Sequence, residues 1–298
     1  MEKWSTIALA RFACLYAGAI WGIFWIPLRA INEAGIHGLW SSAIWFAVPT
    51  CLLLPVAITR FKSIKTGGFG LQSTALLSGI ALLCYTLAFL YTDVVRAMLL
   101  YYLTPVWSTL LAAAVLKEKI TWQRIVAIIL AIIGMLVIFG LGLNFPIPRN
   151  IGDWLGILSG FVWAIAIVRI RKNEKHSAID VTIGFFFWSL IASLILCFLL
   201  VSTQLPPIEK AFSVLPWLVP FIAIAVIPGA FASLWGPKYL SPGLAGLLMM
   251  TEIIFGSITA ALFADEPFGT REIFGIILIS AASLFEPVYD IIKSRRKR

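Results

Sequence analysis

The chain has 298 residues, of which 61% are hydrophobic and only 12% charged, with 12 Trp and a mean hydropathy of +0.98. An ordinary soluble domain carries about 25% charge, so this composition excludes one and points to a polytopic membrane protein. The formal charge of +9 is no nucleic-acid signal, because the basic residues are spread over alternate loops rather than gathered in one patch.

Apolar runs follow at about 7–30, 38–59, 70–91, 95–116, 122–142, 152–171, 178–202, 214–235, 243–264 and 270–292. Each is close to the roughly 20 residues that cross a hydrocarbon core of about 30 Å as a helix. Barrel strands would be half as long and would alternate apolar with polar. The predicted fold class is therefore an all-α integral membrane protein with ten transmembrane helices. The first run is too long for a signal-peptide core and is expected to be retained. With the N-terminus inside, the inner segments hold 18 of the 23 Lys and Arg, including Lys293 to Arg298 of the tail. The positive-inside rule then puts both termini in the cytoplasm, and the expected location is the plasma membrane (a bacterial inner membrane).

Along the first run, Gly18 and Gly22 lie one turn apart and flank Trp21, a spacing that lets helix backbones approach. Arg29, at its outer end, is expected to snorkel to the surface. Tyr85 adds a hydroxyl to the third run. At the outer start of the fourth, Asp93 and Arg96 are spaced for a local ion pair. Deeper in the same run lie Tyr101, Tyr102 and Thr104, then Pro105, a hinge candidate because proline frees a backbone carbonyl. Glu118 ends this run, and the segment Asn144 to Arg149 with its two prolines is the natural seam of the chain. The sixth run carries Gly156, Gly160 and Trp163, and the eighth carries Pro228, the second hinge candidate. Glu252 lies near the centre of the ninth run, deeper than any other carboxylate. Burying its charge costs at least ~2.5–3.5 kcal/mol on insertion scales. It would bind a substrate amine, carry a proton, or hydrogen-bond a neighbouring helix. Glu266 ends the ninth run. Glu118 and Glu266 are expected to accept from the free N–H groups that begin the next helix.

The chain also repeats itself. At an offset of 148, Tyr91 meets Tyr239, Leu100 meets Leu248, Ala112 meets Ala260 and Glu118 meets Glu266. At an offset of 142, Gly18 and Trp21 meet Gly160 and Trp163. Two units are expected: 1–143 and 152–298, the latter with the basic tail, joined by a loop at 144–151. Five spans per unit is an odd number, so the second unit must be inverted. Lys117-Glu118-Lys119 against Asp265-Glu266-Pro267 keeps the Glu and loses both lysines, as equivalent loops on opposite sides would. The four cysteines sit inside apolar runs without metal-ligand spacing, and His37 and His176 lie on opposite sides. No metal or cofactor is expected.

Pro105 with Glu118 thirteen residues later, Thr121-Trp122-Gln123, Gly134, and then Glu266 with Gly275 in the second unit resemble the drug/metabolite transporter superfamily, in its ten-helix EamA type. Among its members the chain looks most like the YddG-type amino-acid exporters. The resemblance covers nearly the whole chain and is specific for fold rather than substrate. Ile253 stands where the pattern has a second Pro, which argues against a symmetrical hinge in the ninth span. The resemblance implies two inverted five-helix repeats around a central cavity lined by helices 1, 3, 4, 6, 8 and 9, with alternating access. The expected function is a secondary transporter exporting amino acids or similar small zwitterionic metabolites, with Trp21, Tyr85, Tyr101, Tyr102, Trp163 and Glu252 binding the substrate. The alternative is a drug or quaternary-amine exporter of the same fold. A membrane-embedded enzyme needs paired catalytic groups, which the runs lack, so an enzyme ranks last with a passive channel. The partners expected are a small molecule and the lipid bilayer, with the oligomeric state, a homodimer included, left open.

Overall fold

A computed structural model of the chain describes residues 2–36, 38–139, 147–200, 205–264, 266 and 268–295. His37, part of the seam (144–146), Asp265, Pro267 and the last three tail residues lie outside the described residues. The described chain is helical throughout and forms ten spans, several of them built from two helices. The first is α1 (Glu2–Ile23) with α2 (Trp25–Glu33), followed by α3 (Leu39–Thr59) and α4 (Phe61–Tyr91). The fourth is α5 (Val94–Tyr101) with α6 (Thr104–Leu116), and the fifth is α7 (Trp122–Phe139). Then come α8 (Ile151–Lys172), α9 (Ala178–Leu200), and an eighth span of α10 (Ile208–Phe221), a π turn (Ile222–Val226) and α11 (Ile227–Trp235). The ninth is α12 (Pro242–Met249) with α13 (Thr251–Phe263), and the tenth is α14 (Thr270–Arg295). Eight of the ten are long and apolar enough to cross a bilayer; Trp122–Ile138 is apolar but shorter, and α14 packs along it. Ile151, assigned above to the connecting loop, already opens α8, whose N-terminus is capped by the Asn150 side chain accepting from Asp153 N–H (2.8 Å).

Prolines stand at three of the interruptions. Pro27 lacks an N–H and its ring crowds the carbonyl four residues back, so α1 ends at Ile23 and a turn at Phe24 separates it from α2. Pro105 does the same to Tyr101, where α5 ends, and the freed Tyr101 carbonyl accepts from the Thr104 hydroxyl at 2.6 Å. Pro228 sits at the start of α11, next to the π turn of the eighth span. The ninth span contradicts the expectation drawn from Ile253. It breaks at Met250 without a proline. The break falls in the same register as that of the fourth span. Adding 148 carries Val94–Tyr101 onto Pro242–Met249, the two bounds of α12. It also carries the Glu118 N–H to Ala112 carbonyl bond (3.4 Å) onto the Glu266 N–H to Ala260 carbonyl bond (3.3 Å).

Helix crossings explain where the breaks sit. A Cβ on Gly160 of α8 would lie 2.5 Å from the Tyr101 carbonyl and 2.8 Å from the Thr104 hydroxyl. A Cβ on Gly18 of α1 would collide with the Thr251 hydroxyl and the Met249 carbonyl. Only glycine allows α8 to cross the fourth span, and α1 the ninth, directly over the broken turn. The Thr251 hydroxyl answers the crossing by donating to the Leu15 carbonyl at 2.8 Å.

One expected local interaction is replaced by a longer-range one. Arg96 pairs with Asp153, not Asp93: its Nε donates to Asp153 Oδ2 at 2.8 Å. Asp153 is fully buried and needs a cation and several donors; Thr92 hydroxyl and Arg149 N–H, each at 2.8 Å, supply more. Arg29 keeps about a third of its side chain exposed. It lies 5.1 Å over the Trp25 ring and 4.0 Å from Glu266.

Candidate functional site

The breaks in the fourth and ninth spans face a common space. A small cavity of about 30 Å³ is lined by Trp21, Ala81, Leu82, Tyr85, Tyr101, Ser159, Trp163, Phe185 and Glu252. Five of the six residues expected to bind substrate therefore line one cavity. The sixth, Tyr102, is buried beside it without lining it, and its hydroxyl has no hydrogen-bond partner among the described residues. The lining comes from the first, third, fourth, sixth, seventh and ninth spans. The resemblance implied the eighth span in place of the seventh; the cavity takes Phe185 of α9 instead.

Each side chain is held by the fold around it. Phe185 lies between the two repeat-related tryptophans, its ring centroid 6.3 Å from each of Trp21 and Trp163. Tyr85 stacks on Phe24 (6.0 Å) and faces Tyr101 (4.6 Å). These rings make apolar walls with polar tips, a surface that suits an organic side chain or an organic cation. Glu252 opens the first turn of α13, just past the break, and is buried. The Tyr85 hydroxyl donates to its Oε1. No basic side chain pairs with it among the described residues. Glu252 is thus a buried carboxylate held by one tyrosine hydroxyl and no basic side chain among the described residues, an arrangement that does little to offset the cost of burying its charge. Ser159, one residue before the crossing Gly160, donates to the Ala81 carbonyl at 2.7 Å and closes the helix three to helix six seam behind the cavity.

Sequence reading missed Phe185 and Ser159. Phe185 is one of 21 Phe and carries no polar signal. Ser159 was readable through its neighbour, since a hydroxyl beside a crossing glycine lies at a helix contact.

The carboxylates at the span ends behave differently from expectation. Glu266 does not cap the next helix. Its Oε1 accepts from Val94 N–H at 2.7 Å and its Oε2 from Val95 N–H at 3.0 Å, so it caps α5 of the fourth span. Burial holds its carboxyl above the ordinary range, against the pull of those two N–H groups and Arg29. Glu118 caps no helix among the described residues. It is about one-third exposed, and Arg171 lies 3.9 Å away.

A model of the EamA-like transporter family matches residues 8–140 and again 150–285. A Helicobacter pylori protein named as an uncharacterized transporter is 22% identical over 98% of this chain and 99% of its own length. A Salmonella typhimurium protein named as a probable amino-acid metabolite efflux pump is 25% identical over 91% and 92% of the two chains. The Escherichia coli biotin transporter is 24% identical over 78% and 77%. A solved crystal structure superposes with a TM-score of 0.66 at 15% identity, covering 94% of this chain and 96% of that one, which establishes a shared fold.

Proposed function

The chain belongs to the EamA-like transporter family, and from that premise we propose that it is a secondary transporter exporting amino acids, or similar small zwitterions, across a plasma membrane. The observation that supports this reading most is Glu252, a buried carboxylate without a basic partner, set in the wall of an aromatic cavity. An ammonium group entering the cavity replaces the Tyr85 hydroxyl at Glu252, while Trp21, Trp163 and Phe185 enclose the side chain. Swapping one donor for a charged one favours the ligand without leaving the carboxylate unpaired. The Salmonella typhimurium relative's name agrees with this substrate class.

Transport proceeds by alternating access in this reading. In it the two units, 1–143 and 152–298, are inverted relative to each other, and the broken fourth and ninth spans each bring one side of the cavity. The breaks at Tyr102 and Met250 are the natural hinges, with Pro105 holding the first open and Pro228 loosening the eighth span. The end of the bundle that carries both termini is cytoplasmic, as the distribution of Lys and Arg requires.

The test is uptake of a panel of labelled L-amino acids into proteoliposomes, with wild type beside Glu252→Gln at two internal pH values. Transport of one or a few amino acids, falling at least about tenfold in the variant, supports the reading. A cationic dye that is transported while every amino acid is ignored would instead establish the amine exporter, for which the same carboxylate and aromatic walls speak. Amino-acid transport unchanged in Glu252→Gln would make that residue structural.

A further inference from the structure

The two ends of the bundle differ at one repeat-related place. At the far end from the termini, Glu266 is seated on the N–H groups of Val94 and Val95. The offset of 148 relates that seat to Pro242 and Gly243, and relates Glu266 to Glu118. At the end carrying the termini no carboxylate among the described residues accepts from this seat's backbone, and Glu118 lies 3.9 Å from Arg171 instead. A cavity of about 300 Å³ lies there, lined by Thr109, Glu118, Lys119, Arg124, Ser241 and Glu286 among others.

This empty seat has its own donors. Pro242 offers no N–H, but two side chains take its place. The Thr109 hydroxyl is buried and has no hydrogen-bond partner among the described residues. Arg124 is buried too. Its Nε and Nη2 donate to Glu286 at 2.6 and 2.8 Å, and Nη2 also to Ser241 at 2.8 Å, which leaves Nη1 uncommitted. A side chain at Gly243 would collide with both Nη1 and the Thr109 hydroxyl. Glycine at 243 lets Thr109 and Arg124 pack into the space a Cβ would take, so the two donors meet at one notch in the wall of the cavity. A buried donor without an acceptor is costly, and an acceptor that fills the notch recovers that cost. Guanidinium beside a hydroxyl selects a carboxylate. Lys119 and Arg124 face Glu118 and Glu286 across the cavity, with Arg171 3.9 Å from Glu118, so both signs of charge are present for a zwitterion.

We infer that this notch, formed by Thr109, Arg124 and Gly243, is a second binding site that takes the carboxylate of an amino acid on its way between the open end and the central cavity, with the ammonium turned toward Glu118. The site rests on the transport reading above only for the ligand being an amino acid. Thr109 lies eight residues beyond Tyr101, about 12 Å along the span, so the notch is a station distinct from Glu252.

Three probes separate the two sites: L-phenylalanine, 3-phenylpropanoate, which lacks the amine, and phenethylamine, which lacks the carboxylate. Equilibrium binding of each is measured on the full chain in nanodiscs, for wild type, Thr109→Val, Gly243→Ala and Glu252→Gln. Thr109→Val breaks no hydrogen bond, so it folds, and an unchanged melting temperature verifies this. We expect 3-phenylpropanoate to bind wild type, to weaken about tenfold or more in Thr109→Val and Gly243→Ala, and to be unaffected by Glu252→Gln. No binding of 3-phenylpropanoate to wild type, or binding untouched by both notch variants, overturns the inference. Binding of 3-phenylpropanoate with no binding of phenylalanine or phenethylamine would sink the amino-acid reading and leave the notch standing.

Discussion

The fourth and ninth spans break at equivalent residues, Tyr102–Leu103 and Met250, yet only the fourth carries a proline, Pro105, where the ninth has Ile253. The comparison separates what a proline does from what packing does. In both spans a glycine of a crossing helix lies over the broken turn, Gly160 in one case and Gly18 in the other. In both, a threonine hydroxyl just after the break answers exposed carbonyls, Thr104 to Tyr101 and Gly160, Thr251 to Leu248 and Leu15. The crossing is common to both breaks and the proline is not, so the crossing is the cause they share. Just after the ninth-span break stands Glu252, whose repeat counterpart is Thr104. One unit thus contributes aromatic hydroxyls to the cavity and the other contributes the carboxylate.

The largest effect should come from filling the crossings. Gly18→Val and Gly160→Val each drive a side chain into backbone of the broken turn, and overpacking of this kind costs about 1–3 kcal/mol or more. Loss of monodisperse protein in size-exclusion chromatography is expected for both. A well-folded Gly18→Val protein would show that the crossing does not hold the break. The span ends give the next contrast. Glu266→Gln loses a charged acceptor for two N–H groups and should lower stability by about 1–2 kcal/mol. Glu118→Gln, about one-third exposed, should stay within about 0.5 kcal/mol. Equal melting shifts for the two would erase the distinction between the ends.

The proline comparison itself should give smaller changes. Pro105→Ala is expected to keep the break and to shift stability by less than about 1 kcal/mol. Ile253→Pro loses the Ile253 N–H to Met250 carbonyl bond (3.1 Å) but points at a carbonyl already outside the helix ladder, so a similar small cost is expected. Melting curves of both variants decide it; a large loss in Pro105→Ala would return the cause to proline. The smallest effect concerns pH. Because burial raises the Glu266 carboxyl above its ordinary value of 4.5, its protonated form is favoured more in the folded protein than in the unfolded one. The contribution is fully present below the unfolded value and is lost as pH rises through the raised folded value. Wild type should therefore lose slightly more stability than Glu266→Gln across that window, measured as the difference between their melting temperatures. Parallel curves would refute it.

Much of the candidate site was legible because its signals are local. Glu252 stands out as a carboxylate inside an apolar run, and Trp21 with Trp163 stand out as a repeat-related pair. Tyr85 and Tyr101 carry polar tips at mid-span. Phe185 was not legible, since an apolar ring in an apolar helix looks the same whether it faces lipid or a cavity. The partners of charged groups were misread for a related reason. Asp93 and Arg96 are one turn apart, but Asp153 is the carboxylate that burial leaves in need of a cation. Glu266 was expected to cap the helix that follows it and instead caps a helix of the other unit.

The number and length of the spans, their helical character and the register of the repeat were determined by the sequence itself. Bilayer thickness and the helix rise convert composition directly into span length, and an internal repeat needs no partner to be seen. Which helices touch, where the ninth span breaks, and which end of the bundle has its carboxylate seated were decided only by the tertiary structure. Inside a membrane nearly every helix face is apolar, so hydropathy cannot choose among faces. The choice falls to close backbone approach at glycine and to the few buried polar groups that must find partners.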